Sequence, residues 1–388
     1  MNSGIATSCQ EVVLQSKRNA VGFVFLSVFS VEGGIQSYIK DVLQAYSNCL
    51  ELPPADIYLL RDRSTDPNPF AEDPKFTFYY SGEYAGNLGR LYLSWQLWQN
   101  LWQQKYDRLI CGHILLSPLV QPLCKWLNTP LTMIIYGKEV WNPLSGRQRQ
   151  ALHQAHRIWI NSRYTRDQSC LANDLAPQKF HMLPCVVNGN VFTPGAPSSK
   201  LVARYGLQDS RVLMTVARLW SGDIYKGVDV TIRALPKILS QFPEVKYLVV
   251  GRGDDQPRLA KMAADLGVAE QVVFAGFVPD EQLVDHYRLA DAYIMPSKEG
   301  FGIVYLEAMA CGVPALSGDD DGSADPLQDG RVGWRVPYRD SEAVADACIE
   351  ILQGDDQRCQ AEWLRQQTLE TFSPKSLQRS LEKALAAP

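Results

Sequence analysis

The chain holds nine cysteines but no Cys-x-x-Cys pair. An odd, scattered set of this kind argues against a zinc site or a disulfide framework and predicts reduced thiols in a cytosol. Long apolar runs are also missing. The longest near the start, Val21 to Phe29, falls well short of the roughly 20 residues that span a bilayer, and no signal-peptide cleavage pattern follows it. There is no basic run, tandem repeat or low-complexity tract. Positive charge is in deficit, with 38 Lys+Arg against 42 Asp+Glu, so nucleic acid is a poor partner. The deficit is uneven: residues 1–190 carry 17 basic and 14 acidic side chains (+3), and residues 191–388 carry 21 and 28 (−7), which sum to −4. The mildly positive first half leaves contact with an anionic surface open.

What is present reads as a globular protein. A length of 388 residues is long for one domain and comfortable for two, and 46% apolar with 21% charged residues carries no disorder signature. Residues 1–18 are polar and irregular and read as an arm.

The most informative stretch runs from Ala292 to Pro314. An apolar strand, Ala292-Tyr293-Ile294-Met295, breaks at Pro296-Ser297. Then come Lys298-Glu299-Gly300-Phe301-Gly302 and an apolar helix ending at Gly312, where glycine takes a left-handed cap without penalty. Strand, glycine turn and helix together aim unpaired helix N-terminal amides at whatever lies above the strand, a setting that suits phosphate. Glu299 can face a cleft there. Glu307, inside the helix, needs a hydroxyl or amide partner if it is buried.

Two glutamates eight positions apart around a Gly-Phe-Gly turn resemble the sugar-nucleotide site of retaining GT-B glycosyltransferases, specifically glycosyltransferase family 4. The resemblance implies that Glu299 holds donor-sugar hydroxyls, that Glu307 holds the ribose, and that the amides of Phe301, Gly302 and Ile303 receive the diphosphate.

The first half follows the same α/β logic. Val21 to Val28 is a continuous apolar strand leading through Gly33-Gly34 into a helix over 35–46. The resemblance sets these glycines against the donor phosphates. Strand-like segments end at His113, at Tyr136-Gly137-Lys138-Glu139 and at Asn161-Ser162. Polar groups at the carboxyl ends of parallel strands are where open α/β sheets bind ligands, so His113, Tyr136 and Glu139 are expected to line one crevice. The last two of these segments resemble the family's acceptor-side signature, and the resemblance implies that the three residues serve the acceptor side. Many family members carry a histidine where this chain has Tyr136, and that departure removes one expected sugar contact. Leu91, Trp95, Trp98 and Trp102 share one helical face. The neighbouring polar positions are Gln and Asn with little positive charge, so a core-packing face is expected rather than a membrane-surface one.

In the second half, Pro184 to Pro197 reads as a turn-rich linker. The strand Arg211–Val216 delivers Arg218, and Lys226-Gly227 opens the next helix, so both cations can reach one anion. As a glycosidic bond to a diphosphate breaks, negative charge grows on the leaving group, and this pair would stabilise it. Gly251-Arg252-Gly253-Asp254-Asp255 lacks the third glycine of a dinucleotide loop and is acidic, which excludes NAD. Val278 falls where the family contacts the nucleotide base. Asp319-Asp320-Asp321 satisfies a metal-binding pattern but is expected to be a solvated loop.

The expected fold is therefore α/β GT-B: two doubly wound Rossmann-like domains facing a cleft. Residues 1–190 form the acceptor side and 191–372 the donor side, with the helix of 373–388 packing back on the first domain. The expected activity is retaining transfer of a hexose from a UDP- or GDP-sugar to a glycan, glycolipid or small-molecule hydroxyl, with no metal and no further cofactor. A double displacement requires a carboxylate on the opposite sugar face, and Glu139, placed with the acceptor, is a poor one. The expected location is the cytoplasm, with attachment to the inner membrane face and a monomer or homodimer both left open. An inverting GT-B enzyme using His113 as base, a sugar-nucleotide epimerase, a phosphorylase and a non-catalytic carbohydrate-binding protein are the alternatives.

Overall fold

The computed structural model describes residues 20–103 and 106–386. The arm expected over 1–18 lies outside the described residues. Two parallel sheets organise the rest. The first contains β1 Ala20–Phe25, β2 Ala55–Leu59, β3 Phe76–Tyr80, β4 Tyr106–Cys111, β5 Leu131–Ile135, β6 Arg157–Ile160 and β7 Phe180–Met182, in the order β3-β2-β1-β4-β5-β6-β7. The second contains β8 Arg211–Val216, β9 Val245–Val250, β10 Val272–Gly276, β11 Ala292–Met295, β12 Ala315–Gly318 and β13 Trp334–Val336, in the order β10-β9-β8-β11-β12-β13. Central strands such as Phe23-Val24-Phe25 and Tyr293-Ile294-Met295 are buried on both faces, which is why they read as unbroken apolar runs.

In each sheet the winding direction reverses once, between β1 and β4 and between β8 and β11. The loops leaving these four strands diverge and open a crevice at each reversal. The two crevices face one another. Gly137 of the first half lies against Gly300 of the second, and a Cβ added to Gly300 would stand 3.0 Å from the Tyr136 carbonyl oxygen. Backbone thus meets backbone at the floor of the cleft. An ion cluster spans the same seam: Arg163, at the start of the helix Arg163–Asn173, pairs with Asp325 and, at 2.8 Å, with Asp329.

The segment between β7 and the helix Ser199–Tyr205 has the proline- and turn-rich character expected of a connection, but it is strapped down. Arg365 donates to the Gly189 carbonyl at 2.5 Å and to that of Phe192 at 2.6 Å, while the Val187 amide donates to the Phe372 carbonyl at 2.9 Å. The last helix, Pro374–Ala386, lies on the first sheet's side of the molecule against the helix Gly34–Asn48. Arg108, on β4, donates to the Ala384 carbonyl at 2.8 Å.

The helix Asn87–Gln103 departs from expectation. Its buried stripe is Gly89, Leu93, Leu97 and Leu101. Leu91, Trp95, Trp98 and Trp102 lie on the opposite side and are exposed by 67%, 53%, 37% and 64%. The sequence contains two apolar stripes, and the leucine stripe won. Gly89 lets the backbone come close to the Tyr84 and Ser81 carbonyls, about 3 Å from where a Cβ would sit, and this turns the leucines inward.

Candidate active site

The cleft between the two sheets encloses about 600 Å³ and is lined by Gly34, Tyr136, Glu139, Arg218, Lys226, Glu299, Phe301, Gly302 and Ile303, with Lys138 and Tyr225 beside them. Gly33, His113, Val278 and Glu307, also singled out in the sequence, are not among the lining residues.

On the second-sheet side, β11 ends at Met295 and the chain turns through Gly302, whose φ of 88° lies in the left-handed region, into the helix Ile303–Ala310. The first-turn amides have no partner within the helix and point toward the cleft. Glu299 stands at the mouth of this turn and pairs with Lys226; their side chains are 15% and 20% exposed. The Glu299 amide donates to the Asp321 carboxylate at 2.6 Å, and its carbonyl accepts from Gly322 at 2.8 Å. Asp321 therefore corrects part of the solvated-loop expectation. Asp319 and Asp320 are exposed, but Asp321 is buried, and burial pushes its pKa up to about 6 against the downward pull of Ser323 and the Glu299 amide.

Arg218 leaves the end of β8 and is 68% exposed, with its guanidinium paired to Asp223 at 2.6 Å and close to the Trp220 ring. Asp223 is buried. Lys138 reaches across from the first half to lie over the Tyr225 ring, and burial holds its pKa below the ordinary lysine value, while Glu299 and Asp223 pull it back up. Three cations thus converge on one end of the cleft. Sequence reading missed Lys138 because its role depends on an aromatic partner 87 positions away.

Glu307 faces away from the cleft. It accepts from the Tyr287 hydroxyl at 2.7 Å, the hydroxyl partner a buried helix carboxylate needs, and burial raises its pKa to about 7. Asp41, on the helix Gly34–Asn48, is raised to about 7 first by burial and then by the nearby Glu307. Val278 is buried in the turn after β10.

On the first-sheet side, the loop after β1 is built by Asp62. Its carboxylate accepts from the amides of Val28, Phe29 and Ser30 at 2.8, 2.8 and 2.7 Å, which carries the chain into Gly33 and the helix Gly34–Asn48. Glu139 accepts from the amides of Tyr136 and Gly137 at 2.6 and 3.0 Å, so its carboxylate serves its own turn. The buried Tyr136 hydroxyl donates to the Gly112 carbonyl at 2.6 Å, and burial raises its pKa well above the usual phenol value. His113 lies beside Tyr136. Its Nδ1 accepts from the Leu115 amide at 3.1 Å, and burial lowers its pKa, with Glu139 opposing the shift. Among the described residues, no group of three or more His, Cys, Asp or Glu side chains could hold a metal ion.

Two parallel sheets facing a charged cleft, each with its reversal at the cleft, are the GT-B architecture of glycosyltransferases. Most of the chain superposes on proteins of this fold. It matches Anabaena HepE in complex with UDP and glucose with a TM-score of 0.73 at 19% identity, over 96% of this chain and 100% of the other. It matches sucrose-phosphate synthase from Thermosynechococcus elongatus with a TM-score of 0.71 at 19% identity, over 95% and 98%. Residues 201–362 match the profile of glycosyl transferases group 1. In sequence it is similar to a GDP-mannose-dependent alpha-(1-6)-phosphatidylinositol monomannoside mannosyltransferase of Mycolicibacterium smegmatis, 38% identical over 213 residues, 53% of this chain and 55% of that one. It is also similar to a D-inositol 3-phosphate glycosyltransferase of Acidothermus cellulolyticus, 35% identical over 187 residues, 45% and 41%. The chain spans about half the length of the curated relatives it matches.

Proposed function

We propose that this protein is a retaining hexosyltransferase that moves a sugar, mannose from GDP-mannose in the first instance, onto a hydroxyl of a lipid-linked or inositol-containing acceptor. The observation that carries the reading is the convergence of Arg218, Lys226, Glu299 and the first-turn amides of the helix Ile303–Ala310 on one cleft. The nature of the donor and acceptor rests on the sequence relatives alone.

Arg218 is paired with Asp223 and Lys226 with Glu299. A diphosphate entering above the helix N-terminus supplies a stronger partner for Lys226, and Glu299 is released to accept from donor-sugar hydroxyls. As the bond from the anomeric carbon to the phosphate oxygen breaks, its electron pair passes to the diphosphate. The growing charge is held by Lys226, Arg218 and the helix amides, so the reaction needs no metal. The acceptor oxygen then bonds to the same face of the anomeric carbon, and its proton passes to the departing phosphate oxygen. A double displacement would need a carboxylate on the opposite face, and Glu139 is committed to two backbone amides. An inverting base at His113 is disfavoured because Nδ1 is occupied and the ring is not among the lining residues.

The test is a transfer assay with GDP-mannose, other GDP-sugars and UDP-sugars, with and without excess chelator, reading the anomeric configuration of the product by NMR. An α-linked product from an α-linked donor, formed with chelator present, is expected. A β-linked product would overturn retention, and absence of transfer or hydrolysis with every donor would favour a binding protein.

A further inference from the structure

The helices Asn87–Gln103, Ser117–Trp126 and Gly146–Gln154 connect successive strands of the first sheet and pack side by side on one of its faces. Their outer surface is unusual in two independent ways. First, it is aromatic: Trp95, Trp98 and Trp102 stand out from the first helix beside Leu91, and Trp126 of the next helix, 63% exposed, lies 6.1 Å from Trp102, ring centre to ring centre. Second, its charge has one sign. The three helices contain no Asp or Glu, in a chain with 42 of them, yet they present Arg90, Lys125, Arg147 and Arg149, all exposed. None of these four forms an ion pair among the described residues.

We infer that this face is a docking surface for an anionic phospholipid bilayer. Indole rings favour the boundary between headgroup and acyl chain, where the ring is buried and the N–H stays wet. Unpaired cations around them meet the negative surface potential of acidic lipids. A single-helix view fails here because Asn87–Gln103 carries only Arg90, and the other three cations come from its neighbours. Each of these helices begins at the carboxyl edge of the sheet, the edge that borders the cleft, so a bilayer held on this face lies beside the cleft mouth. The inference does not depend on glycosyl transfer, since vesicle binding is read without donor or acceptor.

The experiment is co-sedimentation of the full chain with vesicles of phosphatidylcholine, alone or mixed with phosphatidylglycerol, across a salt series. Binding to the mixed vesicles that weakens with salt is expected, with little binding to the neutral ones. The double variant Arg147→Gln/Arg149→Gln should lose roughly 25-fold in partitioning at low salt, at roughly fivefold per charge. Trp95→Ser/Trp102→Ser should lose roughly tenfold or more at every salt concentration. Because these side chains are exposed, thermal unfolding should match the parent. Failure to bind acidic vesicles at low salt, or equal binding by parent and both variants, overturns the inference. A tryptophan variant that turns a dimer into a monomer would assign the face to a second copy of the chain.

Discussion

Replacing Glu299 with glutamine should move two measurements in opposite directions. This carboxylate is the ion-pair partner of Lys226, the residue proposed to receive the diphosphate. A nucleoside diphosphate therefore has to displace Glu299 before it can use the lysine. At about 4 Å and an effective dielectric near 20, an ion pair is worth about 4 kcal/mol, and partial exposure together with side-chain entropy reduces this to roughly 1–2 kcal/mol. Glu299→Gln abolishes that competition, so the free diphosphate should bind roughly 5- to 30-fold more tightly. The same change removes the charged acceptor proposed to hold the sugar hydroxyls, where the interaction would strengthen as the anomeric centre becomes cationic. A loss on the order of 2–4 kcal/mol, or roughly 30- to 900-fold in turnover, is expected. Isothermal titration with the diphosphate and then the intact donor, alongside steady-state turnover, reads both effects. If Glu299→Gln weakens the diphosphate as much as it weakens the sugar nucleotide, Glu299 does not touch the sugar and the assignment of the central motif falls.

Arg218→Ala should lower turnover far more than donor affinity, because its charge matters most as the diphosphate departs; a raised Michaelis constant with intact turnover would remove it from that role. Asp321→Asn should reproduce part of the Glu299 defect without touching ligand, since it loosens the backbone that aims Glu299. The turnover loss should be about tenfold and confined to sugar-bearing ligands, and unchanged kinetics would show that the turn holds without it. Glu307 has its pKa raised from 4.5 to about 7, so the folded state holds that proton more tightly than the unfolded chain and stability falls as pH rises from about 4.5 to 7. Glu307→Gln should remove this penalty, on the order of 3 kcal/mol above about pH 7, and flatten the profile. Denaturant melts at about pH 5 and pH 8 test this, and a variant as pH-sensitive as the parent would place the titration elsewhere, Asp41 being the next group.

How much could be read from the chain depended on whether a residue's setting is local. The turn after β11 was legible because strand, glycines and helix follow one another within a few positions, and backbone geometry there is dictated by the residues themselves. The loops carrying Gly33-Gly34 and carrying Arg218 with Lys226 were legible for the same reason: each joins a strand end to a helix start. What escaped was every role created by pairing across the fold. Lys138 gains its place from Tyr225, the loop after β1 from Asp62, and the orientation of Glu299 from Asp321, a residue that from sequence looked like one of three equivalent acids.

The misjudged helix carries the same lesson further. Its two apolar stripes satisfy the same periodicity, and no rule of spacing ranks tryptophan below leucine for burial. The choice was made by Gly89, which admits the chain close to Ser81 and Tyr84, and by the sheet beneath, which takes Leu93, Leu97 and Leu101. Once the leucines are inside, four large apolar side chains must stand in water unless something covers them. A surface that a protein with 42 acidic residues keeps free of them across three helices is not a neutral by-product of folding. Exposed tryptophan costs solubility, and unpaired positive charge in a net-negative chain forgoes ion pairing, so each feature alone is a small liability. Together they match a surface that is negative on the outside and apolar beneath, as an acidic bilayer is. If the acceptor is lipid-linked, as proposed, it would be met at that boundary by the half of the molecule proposed to carry the acceptor side of the cleft.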